Sequence, residues 1–230
     1  MRLALDRVRI TYHEWSLLAT GIFGSGIHLI SGDVGSGKST LALVTTGLLS
    51  PSSGSVIREG ILSQMVSFQF PEYHVTRSTV EDEYASWGLA PAPLLESDRL
   101  TEKKDLPPLQ LSRGELKRLH LSCVLARRYD LLVLDEPFSS LDCPEKERIC
   151  GIISARSHGI TLIFTHEQTI FPRIDYLWEI REGQLTYLGK LPECLPAWHH
   201  APPLIKNLIT AQKIPRNISL PDLMEAACRT

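Results

Sequence analysis

The stretch Gly32-Asp33-Val34-Gly35-Ser36-Gly37-Lys38-Ser39-Thr40 follows the apolar run Ile27-His28-Leu29-Ile30 and precedes Leu41-Ala42-Leu43-Val44. It satisfies G-x-x-x-x-G-K-[ST] between a strand pattern and a helix pattern, the context that the motif requires. A phosphate-binding loop is therefore predicted. Its glycines let the backbone curl so that successive N–H groups point inward, and the helix beginning near Lys38 adds the positive end of its dipole. Lys38 then reaches the β- and γ-phosphates of a nucleotide, and the Ser39 hydroxyl holds Mg²⁺. A glycine-rich turn without a ligand is the plain alternative, and the match at every fixed position stands against it.

The rest of the composition narrows the partners. The chain has 230 residues, a net charge of −2 and 22% charged residues. That length allows one large domain or two small ones, with about 70–75% of the unfolded surface buried on folding. No basic field argues for nucleic acid, and no charge run forms a tail. Cys123, Cys143, Cys150, Cys194 and Cys228 have no C-x-x-C or metal-type spacing, which suits free thiols in a reducing compartment. Arg2, Asp6 and Arg7 bring charge in too early for a secretory leader. The longest uncharged stretch, Ser16 to Gly32, contains Gly21, Gly24 and Gly26 and falls short of the ~20 apolar residues that a spanning helix needs. Contact with a membrane is then expected only through a partner.

Residues 3–12 alternate in part and read as an exposed-edge strand, followed by shorter β segments up to Ile30 and implying a mixed sheet. Ser39 to Leu49 reads as a helix that Pro51-Ser52-Ser53-Gly54 ends. Val56-Ile57 and Leu62 to Phe68 read as short strands, with Gln69 at the exit of the second. Between Phe70 and Leu111 the texture becomes helical: Val80, Tyr84 and Trp87 recur at helical spacing and need burial, so a small helical insertion is expected.

Leu111-Ser112-Arg113-Gly114-Glu115 opens another helix, and S-x-x-E is a capping box that could account for it alone. Equally, Gly114 leaves the first turn bare enough for a phosphate oxygen to approach. The residues themselves leave both readings open. Leu131-Leu132-Val133-Leu134-Asp135-Glu136-Pro137 reads as a central parallel strand buried on both faces, its acids emerging at the carboxyl edge where ligands of open α/β sheets sit. Asp135 suits the Mg²⁺ shell, and Glu136 can polarise an attacking water. Ile160 to Thr165 reads as a second buried strand, and His166 at its tip could hydrogen-bond the γ-phosphate or the water. His199-His200 lacks carboxylate or cysteine company and reads as solvated loop.

Taken in order, these motifs resemble one family, the ATP-binding subunits of ABC transporters, over about residues 3–195. The resemblance implies an α/β phosphate-loop NTPase with a mixed or parallel core sheet, an N-terminal antiparallel β subdomain, a helical insertion and a small C-terminal helical extension. It implies an ATP-binding domain over 1–195, its helical subdomain at about 70–128, and an extension over 196–230. By the same resemblance Tyr12 stacks on adenine and residues 32–40 form the Walker A loop. Gln69 looks like the Q-loop glutamine, sensing Mg²⁺ and the γ-phosphate while Phe70-Pro71-Glu72 touches a membrane partner. Leu111 to Glu115 is similar to the LSGGQ signature, Asp135-Glu136 to Walker B, Ser140-Leu141-Asp142 to the D-loop and His166 to the switch histidine. Two such domains pack head to tail in that family, so Ser112 and Gly114 would serve the nucleotide of a second chain.

Phe68-Gln69-Phe70-Pro71-Glu72-Tyr73-His74 followed by Thr79-Val80-Glu81-Asp82-Glu83 resembles the energy-coupling-factor importers of vitamins and of cobalt or nickel. The tail containing Ala201 to Lys206 and Ser219 to Met224 is similar to their C-terminal extension. The implied protein is an Mg²⁺-dependent ATPase on the cytoplasmic face of the cell membrane. It is bound to integral subunits and to a second ATP-binding subunit of identical or related sequence, with no nucleic-acid partner. A non-transport ATPase, or a regulatory subunit that uses ATP only as a dimerisation ligand, is the alternative. Arg113 and Glu115 depart from the signature's usual glycine and glutamine, and Arg113 could alter closure.

Overall fold

A computed structural model describes residues 1–229. Its described residues form one nine-stranded sheet in the order β4-β1-β2-β9-β8-β3-β7-β6-β5. The strands are β1 (Arg2–Tyr12), β2 (Trp15–Phe23), β3 (Gly26–Gly32), β4 (Ser53–Glu59), β5 (Gln64–Ser67), β6 (Leu131–Asp135), β7 (Ile160–Thr165), β8 (Tyr176–Arg181) and β9 (Gln184–Lys190). The helices are α1 (Lys38–Thr46), α2 (Val80–Ser86), α3 (Pro91–Ser97), α4 (Arg113–Leu125), α5 (Cys143–Ser154), α6 (Pro203–Thr210) and α7 (Leu220–Ala227).

Strand β3 pairs in parallel with β7 and β8, and β6 in parallel with β7 and β5, whereas β1 pairs antiparallel with β2 and β4. The N-terminal antiparallel strands therefore continue the central sheet. The edge-strand expectation for residues 3–12 is corrected: β1 lies between β2 and β4, and β4 takes the edge. Alternation shows that one strand face is buried, but it carries no information about neighbours.

The doubly buried strands divide their side chains between two cores, as the pleat dictates. Leu131 and Val133 of β6 pack with Leu41 and Val44 of α1, while Leu132 and Leu134 pack with Leu121 and Val124 of α4 and Ile149 and Ile153 of α5. The insertion has a third small core around Val80, Tyr84, Leu95 and Leu100, which Leu116, Leu119 and Cys123 of α4 complete. One helix thus belongs to two cores at once. The C-terminal segment joins the core of Leu132 and Leu134 through Ile205, Leu208, Ile218, Leu223 and Ala226.

Three histidines are held neutral inside. His28 donates from Nε2 to the Gly24 carbonyl (2.9 Å) and accepts from Trp178 Nε1 (3.1 Å). Burial pushes it from 6.5 down to about 4. Burial likewise pushes His74 down to about 4 and His120 well below its ordinary value. Below pH 6.5 the unfolded chain takes up protons that the folded His28 refuses, so its contribution is present at neutral pH and is lost as pH falls from 6.5 towards about 4. The His28 share is on the order of 1–3 kcal/mol. Urea unfolding at pH 7 and pH 5 is expected to show this loss, and His28→Gln is expected to flatten it.

Candidate functional site

The loop ahead of α1 is shaped by conformations that only glycine adopts without strain. Gly35 and Gly37 have φ of +82° and +98°, and a Cβ on Gly37 would lie 2.2 Å from Trp15 Cζ2. Gly37 caps α1 with no side-chain hydrogen bond, unlike α2, α4 and α5, which Thr79, Ser112 and Asp142 cap. The first N–H groups of α1 remain free for an anion. Lys38 is 6% exposed, its Nζ donating to the carbonyls of Gly32 and Asp33 at 2.9 Å each. Burial lowers its pKa, while Glu136, Asp135 and Asp33 pull the other way.

Parallel register delivers the acids to the same edge. Asp135 pairs with Phe164, and the Glu136 N–H donates to the Phe164 carbonyl at 2.8 Å. The Glu136 backbone has φ +47°, a strained value for a non-glycine residue. Its carboxylate accepts from Thr165 Oγ1 (2.9 Å) and the His166 N–H (3.1 Å), lies 2.6 Å from His166 Nδ1, and faces Lys38 Nζ at 3.9 Å. A cavity of about 560 Å³ is lined by Tyr12, Gly35, Gly37, Lys38, Ser39, Thr40, Gln69, Glu136 and His166. Tyr12 is 71% exposed at its rim.

Asp135 Oδ1 is buried and makes no hydrogen bond. Burial raises the Asp135 pKa, against the pull of the Ser39 hydroxyl, Lys117 and Lys38. Ser39, Gln69 and Asp135 border one hollow of about 360 Å³. A hydroxyl, a carboxamide and a desolvated carboxylate are hard oxygen donors of the kind that Mg²⁺ takes, so these residues fit the ion. Ser36 Oγ is a second buried oxygen without a partner.

Ser112, Gly114 and Asp142 are not brought into the cavity of their own chain. Ser112 caps α4 in a reciprocal capping box with Glu115. The bare edge of Gly114 faces the D-loop, where a Cβ would meet the Ser140 carbonyl oxygen at 2.8 Å. Asp142 caps α5 by accepting from the Glu145 N–H at 3.0 Å. His199 and His200 lie in a turn with His199 exposed, as expected of a solvated loop, but the expectation that they lack carboxylate company is corrected. Glu179, 2% exposed, accepts from the His200 N–H (2.8 Å) and lies 3.0 and 2.7 Å from Nδ1 of His199 and His200. Among the described residues no group of three or more His, Cys, Asp or Glu side chains could hold a metal ion.

Several residues in or around the site escaped the sequence reading. Trp15 packs on Gly37, Thr165 orients Glu136, and Leu49, Ser50 and Ser52 complete the cavity wall. The Thr165 signal was adjacency to His166, whereas Trp15 opens β2 and Leu49, Ser50 and Ser52 lie between α1 and β4, with no motif to mark them. Lys117 was missed as well, although it shares the stripe of Leu121 and Val124 at i+4 and i+7.

The ABC transporter family model matches residues 21–139, the stretch from the end of β2 through the glycine loop to just past the two acids. The chain belongs to the ABC transporter ATP-binding family. It is accordingly an ATP-binding and ATP-hydrolysing subunit coupled to transport. It is 28% identical over 255 residues to the energy-coupling factor transporter ATP-binding protein EcfA2 of Thermotoga maritima, covering 99% of this chain and 92% of that one. It is 30% identical to EcfA1 of the same organism, covering 84% and 83%. The solved ATP-binding subunit of an ABC transporter superposes with TM-score 0.67 at 18% identity, covering 99% of this chain and 100% of that one, a likeness of fold. The chain spans 38% and 40% of the length of two longer relatives from Methanosarcina acetivorans and Methanosarcina mazei. No helix among the described residues is long and apolar enough to cross a membrane.

The glycine requirement is measurable without nucleotide. Gly37→Ala meets both a left-handed φ and the Trp15 ring, and is expected to lower stability by about 1–3 kcal/mol. Gly35→Ala, with nothing within 4 Å of its Cβ position, meets only the φ penalty, and urea unfolding is expected to rank it as the milder change.

Proposed function

We propose that the chain energises an importer of the energy-coupling-factor type for a vitamin or a transition-metal ion, as one half of a nucleotide-sandwiching dimer of identical or related subunits. Residues 1–195 form the ATP-binding domain, about 70–128 its helical subdomain, and 196–230 the C-terminal extension. The observation that carries the reading is the chain of contacts from Lys38 through Glu136 to His166, at 3.9 and 2.6 Å, inside the glycine-loop cavity.

Residues 32–40 cradle the triphosphate of ATP with their N–H groups, and Tyr12 covers the adenine. Lys38 turns its ammonium from the Gly32 and Asp33 carbonyls to the β- and γ-phosphates. Ser39, Asp135 and Gln69 would hold Mg²⁺, which would supply charge neutralisation at the phosphates. Glu136, oriented by Thr165 and His166, takes a proton from the water that attacks the γ-phosphorus, and the bond to the leaving ADP oxygen breaks. His166 hydrogen-bonds the γ-phosphate. Ser112 and Gly114 of one subunit close on the nucleotide of the other, and Asp142 belongs to the same closing face. This fits the position of Ser112, exposed at a helix tip outside its own cavity.

The exposed Phe70 and Tyr73 beside Gln69 are the contact offered to an integral membrane subunit on the cytoplasmic face. The solute is chosen in that membrane component. Copurification from membranes with an integral protein is expected, and cargo uptake by the reconstituted complex tests the importer direction.

Glu136→Gln is expected to keep ATP binding and to lower phosphate release by about 10²–10⁴-fold, the usual share of a general base. Hydrolysis at the native rate removes Glu136 from that role. Lys38→Ala is expected to abolish tight nucleotide binding in an equilibrium fluorescence titration, and undiminished affinity contradicts the cradle.

A further inference from the structure

Lys117 is a lysine inside the protein, 1% exposed, on the helix whose tip carries Ser112. Its ammonium donates to the carbonyls of Gln69 (3.1 Å) and Phe68 (3.4 Å), and so grips the backbone where β5 leaves the sheet. Asp135, Glu136 and Glu72 face it as negative charges, and the imidazoles of His74 and His120 lie nearby. Three residues further along α4, His120 Nε2 meets Ser67 Oγ at 2.9 Å, and its ring stacks on His74 at 4.1 Å. His74 Nε2 in turn accepts from the Phe68 N–H at 3.1 Å. Lys117 and His120, at i and i+3, thus clamp residues 67–69 and 74 to one side of α4.

A buried ammonium is costly unless its donors are satisfied, and here both acceptors are main-chain oxygens of the Gln69 segment. A hydrocarbon in its place would leave those carbonyls unpaired and the segment free to part from α4. The two groups joined this way face different nucleotides: Gln69 the one in its own cavity, Ser112 the one held by a second subunit.

We propose that Lys117 is a positioning residue for ATP hydrolysis. It fastens the Gln69 backbone to α4, so that delivery of Gln69 to the metal and γ-phosphate and presentation of Ser112 to the partner's nucleotide are a single displacement. The inference rests on the roles given to Gln69 and Ser112 above.

The test is a double-mutant cycle on the full chain, with steady-state phosphate release and equilibrium binding of a fluorescent ATP analogue as readouts. Lys117→Met is expected to lower kcat by on the order of 10–100-fold, the scale of a small misplacement of a catalytic group. Nucleotide affinity is expected to stay within about 3-fold, because the cradle is untouched. Lys117→Arg, which keeps charge and donors, is expected to restore most of the turnover. On a Gln69→Ala background the same Lys117→Met change is expected to cost less than about 2-fold, since residues acting through one another are not additive.

Equal losses in both backgrounds, a loss of affinity with kcat unchanged, or no recovery with arginine overturns the assignment. Thermal unfolding checks each variant. If methionine does not fold, Lys117→Gln, which loses the charge and offers its two N–H donors from a shorter stem, runs the same cycle and carries the same outcomes. Glu136→Gln is measured alongside. Full activity there overturns the hydrolysis mechanism itself, whereas an inactive Glu136→Gln beside a fully active Lys117→Met overturns only the role of Lys117.

Discussion

The Glu136 carboxylate is where the architecture converges. It sits just past β6 and is held by Thr165 and His166 at the tip of β7, and it faces the lysine of the glycine loop that leaves β3. These three strands are neighbours in the order β3-β7-β6, so parallel pairing alone brings their carboxyl ends level. Everything that fixes the register of those strands fixes the acid: the split of Leu131 to Leu134 between two cores, and the Asp135 to Phe164 pairing. The left-handed backbone at Glu136 is tolerated because its N–H is held by the Phe164 carbonyl and its carboxylate by Thr165 and His166.

Much of this was legible because it is local. The glycine loop, the capping box of Ser112 and Glu115 and the two apolar runs each announce themselves within a few residues, and the structure places β6 at Leu131–Asp135 and β7 at Ile160–Thr165. What was illegible is long-range. The partner of His199 and His200 is Glu179, 20 and 21 residues away on an apolar strand where no carboxylate is expected. Trp198 Nε1 reaches Ser31 Oγ at 2.7 Å across 167 positions. Which strand flanks β1 depends on β4 crossing to it from beyond α1, which the alternation of residues 3–12 does not encode. The motif residues were readable, and the side chains that hold them were not.

Helix α4 explains why the insertion is not a passive ornament. Leu116, Leu119 and Cys123 close the insertion's own core, while Leu121 and Val124 dock on the sheet. Arg148 of α5 adds a second tie by donating to Asp98 of the insertion at 2.8 Å, where Tyr84 and Ser122 also donate to the same fully buried carboxylate. Such a satisfied network resists shear, because separating the layers strands a desolvated charge. The insertion is therefore coupled to the sheet at α4 and α5, the two helices whose N-termini carry Ser112 and Asp142.

The C-terminal segment enters the same mechanics through the core that it shares with α4 and α5. Trp198 and His200 approach the strand and loop that hold the phosphate cradle: the indole bonds Ser31, one residue before Gly32, and His200 Nε2 lies 3.2 Å from Asp33 Oδ2. Asn217 then pairs with both the N–H and the carbonyl of Ile174, just ahead of β8. Lys38 needs the Gly32 and Asp33 carbonyls in place to be aimed before nucleotide arrives, and those carbonyls belong to the stretch that this segment braces. A tail that packs its apolar side chains into the main core while tethering the entry of the loop thus contributes to the shape of the cradle itself, even though none of its residues lines the cavity.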